Sequence, residues 1–265
     1  MAAPVTARSF GVLVAVVILV GVGVSVGYHP PPASNDARAF DRTRPGADYH
    51  ADGELAVDGR TVVRYTVDVV GDRRRSRLSV PNATYVTYAN GSGVTYTRLD
   101  ATTAAAYARY LDRIAIAEGR TVVRRDDASH TAVVVDRTPD RVRSTQPTPR
   151  IAFALSLPAA ERTGTTTYRG TRVAVFRPRD GWYDESARFV DTDTVRVSGA
   201  SGVLYVHGET GRLYHANVTY LVTPGDSPGS YLINRLSGRS STTTVRFAYR
   251  GTGRNVSRPG WARRS

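Results

Sequence analysis

The side chains that could do chemistry in this chain are few and scattered. There are five histidines: His29, His50, His130, His207 and His215. His207 and His215 flank a Gly-Glu-Thr-Gly-Arg turn, so a hairpin would bring them close to each other and to Glu209. Two imidazoles and one carboxylate fall short of a closed tetrahedral site, and no histidine pair has the i, i+4 spacing of a zinc helix. The expectation is exposed strand histidines and no metal. Gly199-Ala200-Ser201-Gly202 has part of the composition of a nucleophile elbow, but an elbow leads from a strand into a helix. Here a strand follows, so a turn is expected. Asp180, Asp184 and Glu185 surround Trp182-Tyr183 and could form an acid pair or a sugar-binding patch; a solvated loop is the plainer reading. With no phosphate loop and no dinucleotide fingerprint, no catalytic residue and no cofactor is nominated, and a non-enzymatic protein is expected.

Composition narrows the classes further. The 265 residues contain no cysteine, which excludes a disulfide scaffold, thiolate metal sites and cysteine nucleophiles. The net charge is +13, and all 36 basic residues are arginine. Selection for guanidinium chemistry would not remove lysine from every surface position, whereas a GC-rich coding bias would. The densest basic run is Asp72-Arg73-Arg74-Arg75-Ser76-Arg77. Arg73, Arg74, Arg75 and Arg77 could contact anionic head groups, at about 1 kcal/mol each near such a surface. They could equally charge a strand edge against aggregation. No aromatic residue interrupts the run, so no nucleic-acid partner is expected.

The N-terminal stretch Phe10–Tyr28 is apolar and uncharged, about the length that a helix needs to cross a bilayer. Small residues near its end (Gly23, Ser25, Gly27) leave cleavage as a signal peptide open. Arg8 precedes it, while Arg38, Arg42 and Arg44 follow, a bias that by itself favours a cytoplasmic domain. Four of the six asparagines point the other way. Asn82, Asn90, Asn217 and Asn255 each begin Asn-X-Ser/Thr, the glycosylation acceptor of exported domains. Long domains translocate despite flanking charge, so the expected layout is an anchor or signal over 1–28, a Pro-rich tether over 29–50 and an extracytoplasmic domain over 51–265. The expected location is the cell membrane, single-pass, or secretion after cleavage.

The elements that must position any site are mostly strands. Thr61–Val70 alternates Val63, Tyr65, Val67 and Val69 with Arg64, Thr66 and Asp68, a half-buried strand. Arg73–Val80 is a weaker strand. Asn90-Gly91 separates Tyr85–Ala89 from Val94–Leu99, a hairpin signal. Further strands are expected at Thr171–Phe176, Thr194–Val197, Gly202–Val206 and Arg212–Val222. The last strand turns Val245, Phe247 and Tyr249 inward. Asp100–Glu118 reads as a helix burying Tyr107, Leu111 and Ile114, capped by Asp100 and Gly119. Arg150–Glu161 alternates like a strand but carries helix-forming alanines, and is assigned to a helix. Residues 181–188 read as a helical turn and 223–242 as a long loop. Helices are missing between most successive strands, so the sheet should be antiparallel.

Several phrases together resemble the secreted, lipoprotein-type proteins of haloarchaea with a LolA/LppX-like fold. They are YTVDVV at 65–70, the Tyr-rich hairpin at 85–99, YRGTRVAVF at 168–176, the strand–Gly turn–strand run at 197–222 and the closing strand with Arg-Pro-Gly-Trp at 245–262. The resemblance implies an α+β fold: a strongly curved antiparallel half-barrel with about two helices on its concave side, from a group that carries or senses lipids and lipoproteins. Such relatives commonly carry a lipobox cysteine; its absence here favours the helical anchor. The inward residues Val63, Tyr65, Val67, Tyr214, Val218, Tyr220, Phe247 and Tyr249 are the candidate ligand-binding face. If the helices fill that face it is a core, and if they leave a gap it is an apolar cavity for acyl chains. The expected partners are the membrane and a lipid or lipid-modified protein. The alternative is a structural or interaction module with a filled core.

Overall fold

Alternating Val, Thr and Tyr feed most of the strands, and the computed structural model describes them over residues 48–115, 119–137, 149–184, 194–251 and 255–263. The apolar run Phe10–Tyr28 and nearly all of the Pro-rich stretch lie outside the described residues. Among the described residues, no helix is long and apolar enough to cross a membrane. The strands are β1 (Tyr49–Val57), β2 (Arg60–Val70), β3 (Arg73–Val80), β4 (Ala83–Ala89), β5 (Thr95–Ala101), β6 (Arg120–Asp126), β7 (Thr131–Asp136), β8 (Ala160–Tyr168), β9 (Thr171–Pro178), β10 (Gly181–Asp184), β11 (Thr194–His207), β12 (Leu213–Pro224) and β13 (Ser241–Arg250). The helices are α1 (Ala104–Ala115), α2 (Pro149–Ser156), α3 (Pro228–Leu236) and the short α4 (Gly260–Arg263).

All thirteen strands of the described residues join one open, curved, antiparallel sheet in the order β6-β7-β5-β4-β3-β2-β1-β13-β12-β11-β9-β8, with β10 paired to β11. The first and last strands meet in its middle, where Leu55 pairs with Val245 and Ala51 with Tyr249. Two-residue periodicity then decides the faces. Val63, Tyr65 and Val67 of β2, Val218 and Tyr220 of β12, and Val245 and Phe247 of β13 all point into one core. The helix α2 caps this core with Ile151, Ala154 and Leu155. Gly53 lets it come close, since a Cβ there would stand 2.8 Å from Ile151 Cδ1.

A second core lies under α1, where Tyr107 and Leu111 meet Leu99, Ala132 and Val134. Tyr85 stands edge-on to Tyr110 there, at 5.9 Å between ring centroids. Burial, then the neighbouring Tyr110, pushes the Tyr85 phenol up to about 12. The unfolded chain loses that proton near pH 10. Stability from this group is therefore complete below pH 10 and is lost as pH rises toward 12. Tyr85→Phe should flatten that part of the stability–pH curve, as read by thermal unfolding; an unchanged slope would contradict the burial described here.

Several expectations need correction. The expected helix over 150–161 ends at Ser156, because Pro158 removes an amide donor, and β8 begins at Ala160. The expected helical turn at 181–188 starts as the strand β10, paired to β11. The expected long loop at 223–242 contains α3, begun by Ser227 in a capping box with Ser230 and by Pro228 in its first turn. The expected break at 199–202 is a bulge inside the continuous β11, with a register shift between Ser198 and Ser201. Asp100 lies in β5 and pairs with Arg98; the cap of α1 is Thr103, whose hydroxyl accepts from the Ala106 amide. The basic run does not guard an edge, because β3 lies between β2 and β4.

Candidate functional site

His29 lies outside the described residues, and among the described residues singled out for chemistry none is brought together with others into a reactive group. Among the described residues, no set of three metal-ligating side chains comes together. His50 is held by Asp68, with Nδ1 2.8 Å from Oδ1. His207 and His215 part company: His207 stacks on Tyr214, while His215 packs in a three-ring cluster with Tyr168 and Tyr205, which are themselves 5.1 Å apart. Burial, then the nearby Arg169, lowers the His215 pKa and so favours the neutral ring. The Asp180 carboxylate accepts the amides of Gly199 and Ala200 at 3.1 and 2.7 Å, which satisfies the bulge rather than any ligand. Trp182 meets Tyr231 edge-on at 5.8 Å. Glu185 lies outside the described residues.

The basic run divides by strand parity. Arg73, Arg75 and Arg77 are exposed, whereas Arg74 is half-buried on the opposite face and donates to the Tyr65 hydroxyl at 3.0 Å. The four sequon asparagines occupy accessible positions: Asn82, Asn217 and Asn255 are exposed, and Asn90 sits half-exposed in the β4–β5 turn.

An apolar feature that can take a ligand, among the described residues, is a cavity of about 360 Å³ between α2 and the end of the sheet. Its walls are Leu55 and Val57 of β1, Val62 and Val63 of β2, Tyr220 and Val222 of β12, and Ser241 and Thr243 of β13. From the helix side come Arg150, Phe153 and Ala154, with Leu157 just beyond. The walls are mainly apolar, and the volume falls in the range of small-ligand sites. Arg150 is exposed and stands in the first turn of α2, the one cationic group on this lining.

The eight residues expected to form the ligand face are brought together, but with different jobs. Val63 and Tyr220 line the cavity. Tyr65, Val67, Val218 and Phe247 belong to the filled core, and Val67 has no exposed surface. Tyr214 and Tyr249 join Tyr49 and His207 in an aromatic row at the other end of the strands, with successive centroids 5.1 to 5.8 Å apart. The cavity walls outside that expected face include Leu55, Val57 and Val62 around the β1–β2 turn, and Arg150 and Phe153. Arg150-Ile-Ala-Phe was visible in the sequence as an apolar segment with a cationic start.

Tyr220 also shows how α2 is held over the cavity. Four residues after Ala154 stands Pro158, which has no N–H to give the Ala154 carbonyl. The Tyr220 hydroxyl supplies that donor at 2.6 Å in a fully buried contact. Tyr220→Phe should therefore cost about 1–3 kcal/mol, the penalty of an orphaned buried carbonyl. Denaturant unfolding checks this; a loss below a few tenths of a kcal/mol would mean that α2 is not held from this carbonyl.

No family model matches the chain, and no curated protein matches it. Among solved structures it is similar to a domain from Vibrio parahaemolyticus described as an outer membrane lipoprotein-sorting protein, with 10% identity and TM-score 0.22, covering 81% of this chain and 89% of that one. It is similar also to a DUF1329 family protein from Desulfovibrio piger, with 8% identity and TM-score 0.23, covering 77% and 85%.

Proposed function

We propose that the protein is a non-enzymatic envelope component that shelters the acyl chain of an amphiphile between α2 and the sheet. The observation that carries this is the cavity itself: an apolar volume of about 360 Å³ with a cation at its lining. Each methylene moved from water onto Leu55, Val62, Val63, Phe153 and Val222 contributes about 0.8 kcal/mol, so micromolar retention takes about ten methylenes before the cost of association is met. Arg150 meets an anionic head. The domain works outside the cytoplasm, anchored or released by the N-terminal apolar run, with carbohydrate on the accessible sequons. The sequence resemblance to LolA/LppX-like lipid and lipoprotein carriers supports the same reading.

The test is binding of a fluorescent fatty acid to the purified full chain, in competition with a fatty acid and a fatty alcohol of equal length. Arg150→Ala should weaken the acid about tenfold, the scale of one lost charge-assisted contact, and leave the alcohol unchanged. No binding of either would overturn the proposal. An equal loss of both would overturn the role given to Arg150.

A further inference from the structure

The helix α3 is amphipathic the wrong way round. A surface helix normally buries its apolar stripe. Here Leu232 is 49%, Ile233 63% and Leu236 87% exposed, the largest exposures of any big apolar side chains among the described residues. Their spacing of three and four places them on one face. The seat of the helix is made by small and polar groups instead. Gly229 is buried, Asn234 donates to the Pro224 carbonyl at 2.9 Å, and Tyr231 rests against Trp182. The capping box at Ser227 and Ser230 fixes its start, so the exposed face is presented by a well-formed helix rather than a frayed one.

Charge and position say what covers this face. Arg235 and Arg239 flank it, both exposed, and the one acidic residue of the β12–β13 connection, Asp226, stands before the helix N-terminus, where it accepts from the Ser230 hydroxyl at 2.8 Å. Trp182 and Tyr231 stand beside it, the residue types that settle at a membrane–water boundary. The helix joins the end of β12 to the start of β13, where Val222, Ser241 and Thr243 line the cavity. A polar protein partner would not call for three bare aliphatic side chains beside a rim of arginine. The surface of an anionic bilayer calls for both.

We infer that α3 is a membrane-docking helix that lays Leu232, Ile233 and Leu236 into an anionic lipid surface and so holds the cavity end of the sheet against the bilayer. It depends on the helix and not on what fills the cavity, so failure of acyl-chain binding and failure of docking are separate results. Docking lets a lipid pass between bilayer and cavity without crossing open water.

The chain has no cysteine, so Ile233→Cys gives one site for a photocrosslinker. The labelled full-length chain is reconstituted into vesicles of phosphatidylcholine and phosphatidylglycerol and irradiated. Adducts to lipid are expected. A crosslinked dimer, or an internal crosslink to the apolar run at 10–28, would overturn the inference by naming a different occupant. A second measurement keeps Trp182 as the only tryptophan, through Trp261→Phe, and places brominated acyl chains in the same vesicles. Trp182 emission should fall at least about twofold, because an interfacial helix brings its neighbours to the acyl boundary. Leu232→Ser with Ile233→Ser and Leu236→Ser leaves the seat of the helix intact and should abolish the quenching. Arg235→Gln with Arg239→Gln should weaken it only on anionic vesicles and at low salt. Equal quenching in the wild-type and triple-serine chains would overturn the docking.

Discussion

Gly202→Ala is expected to lower the melting temperature by roughly 8–16 °C, the equivalent of about 4 kcal/mol for a domain of this size. Gly202 follows the β11 bulge with φ +111°, a region that L side chains rarely adopt. An added Cβ would also stand 2.0 Å from the Asn217 carbonyl oxygen of β12. That oxygen belongs to the backbone of the most extensively paired neighbour of β11, so it cannot step aside as a side chain would. Strain and collision therefore add. Gly164→Ala is the control: it lies in the edge strand β8, has no neighbour within 4 Å of the added carbon, and should leave the melting temperature within a degree or so. Calorimetry on the two variants decides. Equal melting temperatures would mean that the β11–β12 contact is not as close as described.

Leu55→Glu combined with Val62→Glu is expected to abolish acyl-chain binding while the fold survives. Both residues line the cavity, and both retain some exposure beside the β1–β2 turn. A carboxylate at either position can reach water, so it need not be buried unpaired. It would still place charge where methylenes should pack, and it would repel an anionic head drawn by Arg150. Val67→Asp is the instructive contrast. Val67 has no exposed surface, so an aspartate there would be a buried, unpaired charge, and loss of binding would only report unfolding. Fluorescent fatty-acid titration, with circular dichroism to confirm folding, separates the outcomes. Retained affinity in the double variant would remove the cavity from the account.

Much of the fold is legible in the residues because two-residue alternation survives wherever one face is buried. Thr61–Val70, Arg212–Val222 and the last strand are clear for that reason. Two signals went unused. Asp58-Gly59 makes the tight β1–β2 turn, with positive φ at both residues, and is as strong a hairpin mark as Asn90-Gly91. Ser227-Pro228 opens α3 with a recognised cap, yet the surrounding Gly, Ser and Pro hid it. Other elements were hard to read for a physical reason. β8 is an edge strand and almost wholly exposed, so it carries no alternation. In β7, Ala132 to Val135 are all buried, so no polar face marks it as a strand.

The site was legible only in part. Inward-facing residues are visible from parity, but whether a helix fills the space above them depends on where that helix stops. That is decided by Phe153 and Pro158 on the helix side and by Tyr220, which is distant in sequence yet hydrogen-bonded to the helix in the fold. Arg74 illustrates the same limit. It sits in a run of arginines, but strand parity turns it toward Tyr65 while its neighbours face solvent.

If the cavity holds an acyl chain, native mass spectrometry of the full chain purified from its own host should show a dissociable mass of lipid size on the wild-type protein, above the polypeptide and any glycan. That mass should be lost from the Leu55→Glu, Val62→Glu chain. A wild-type protein that carries no such mass, and gains none after incubation with lipid, would contradict acyl-chain binding.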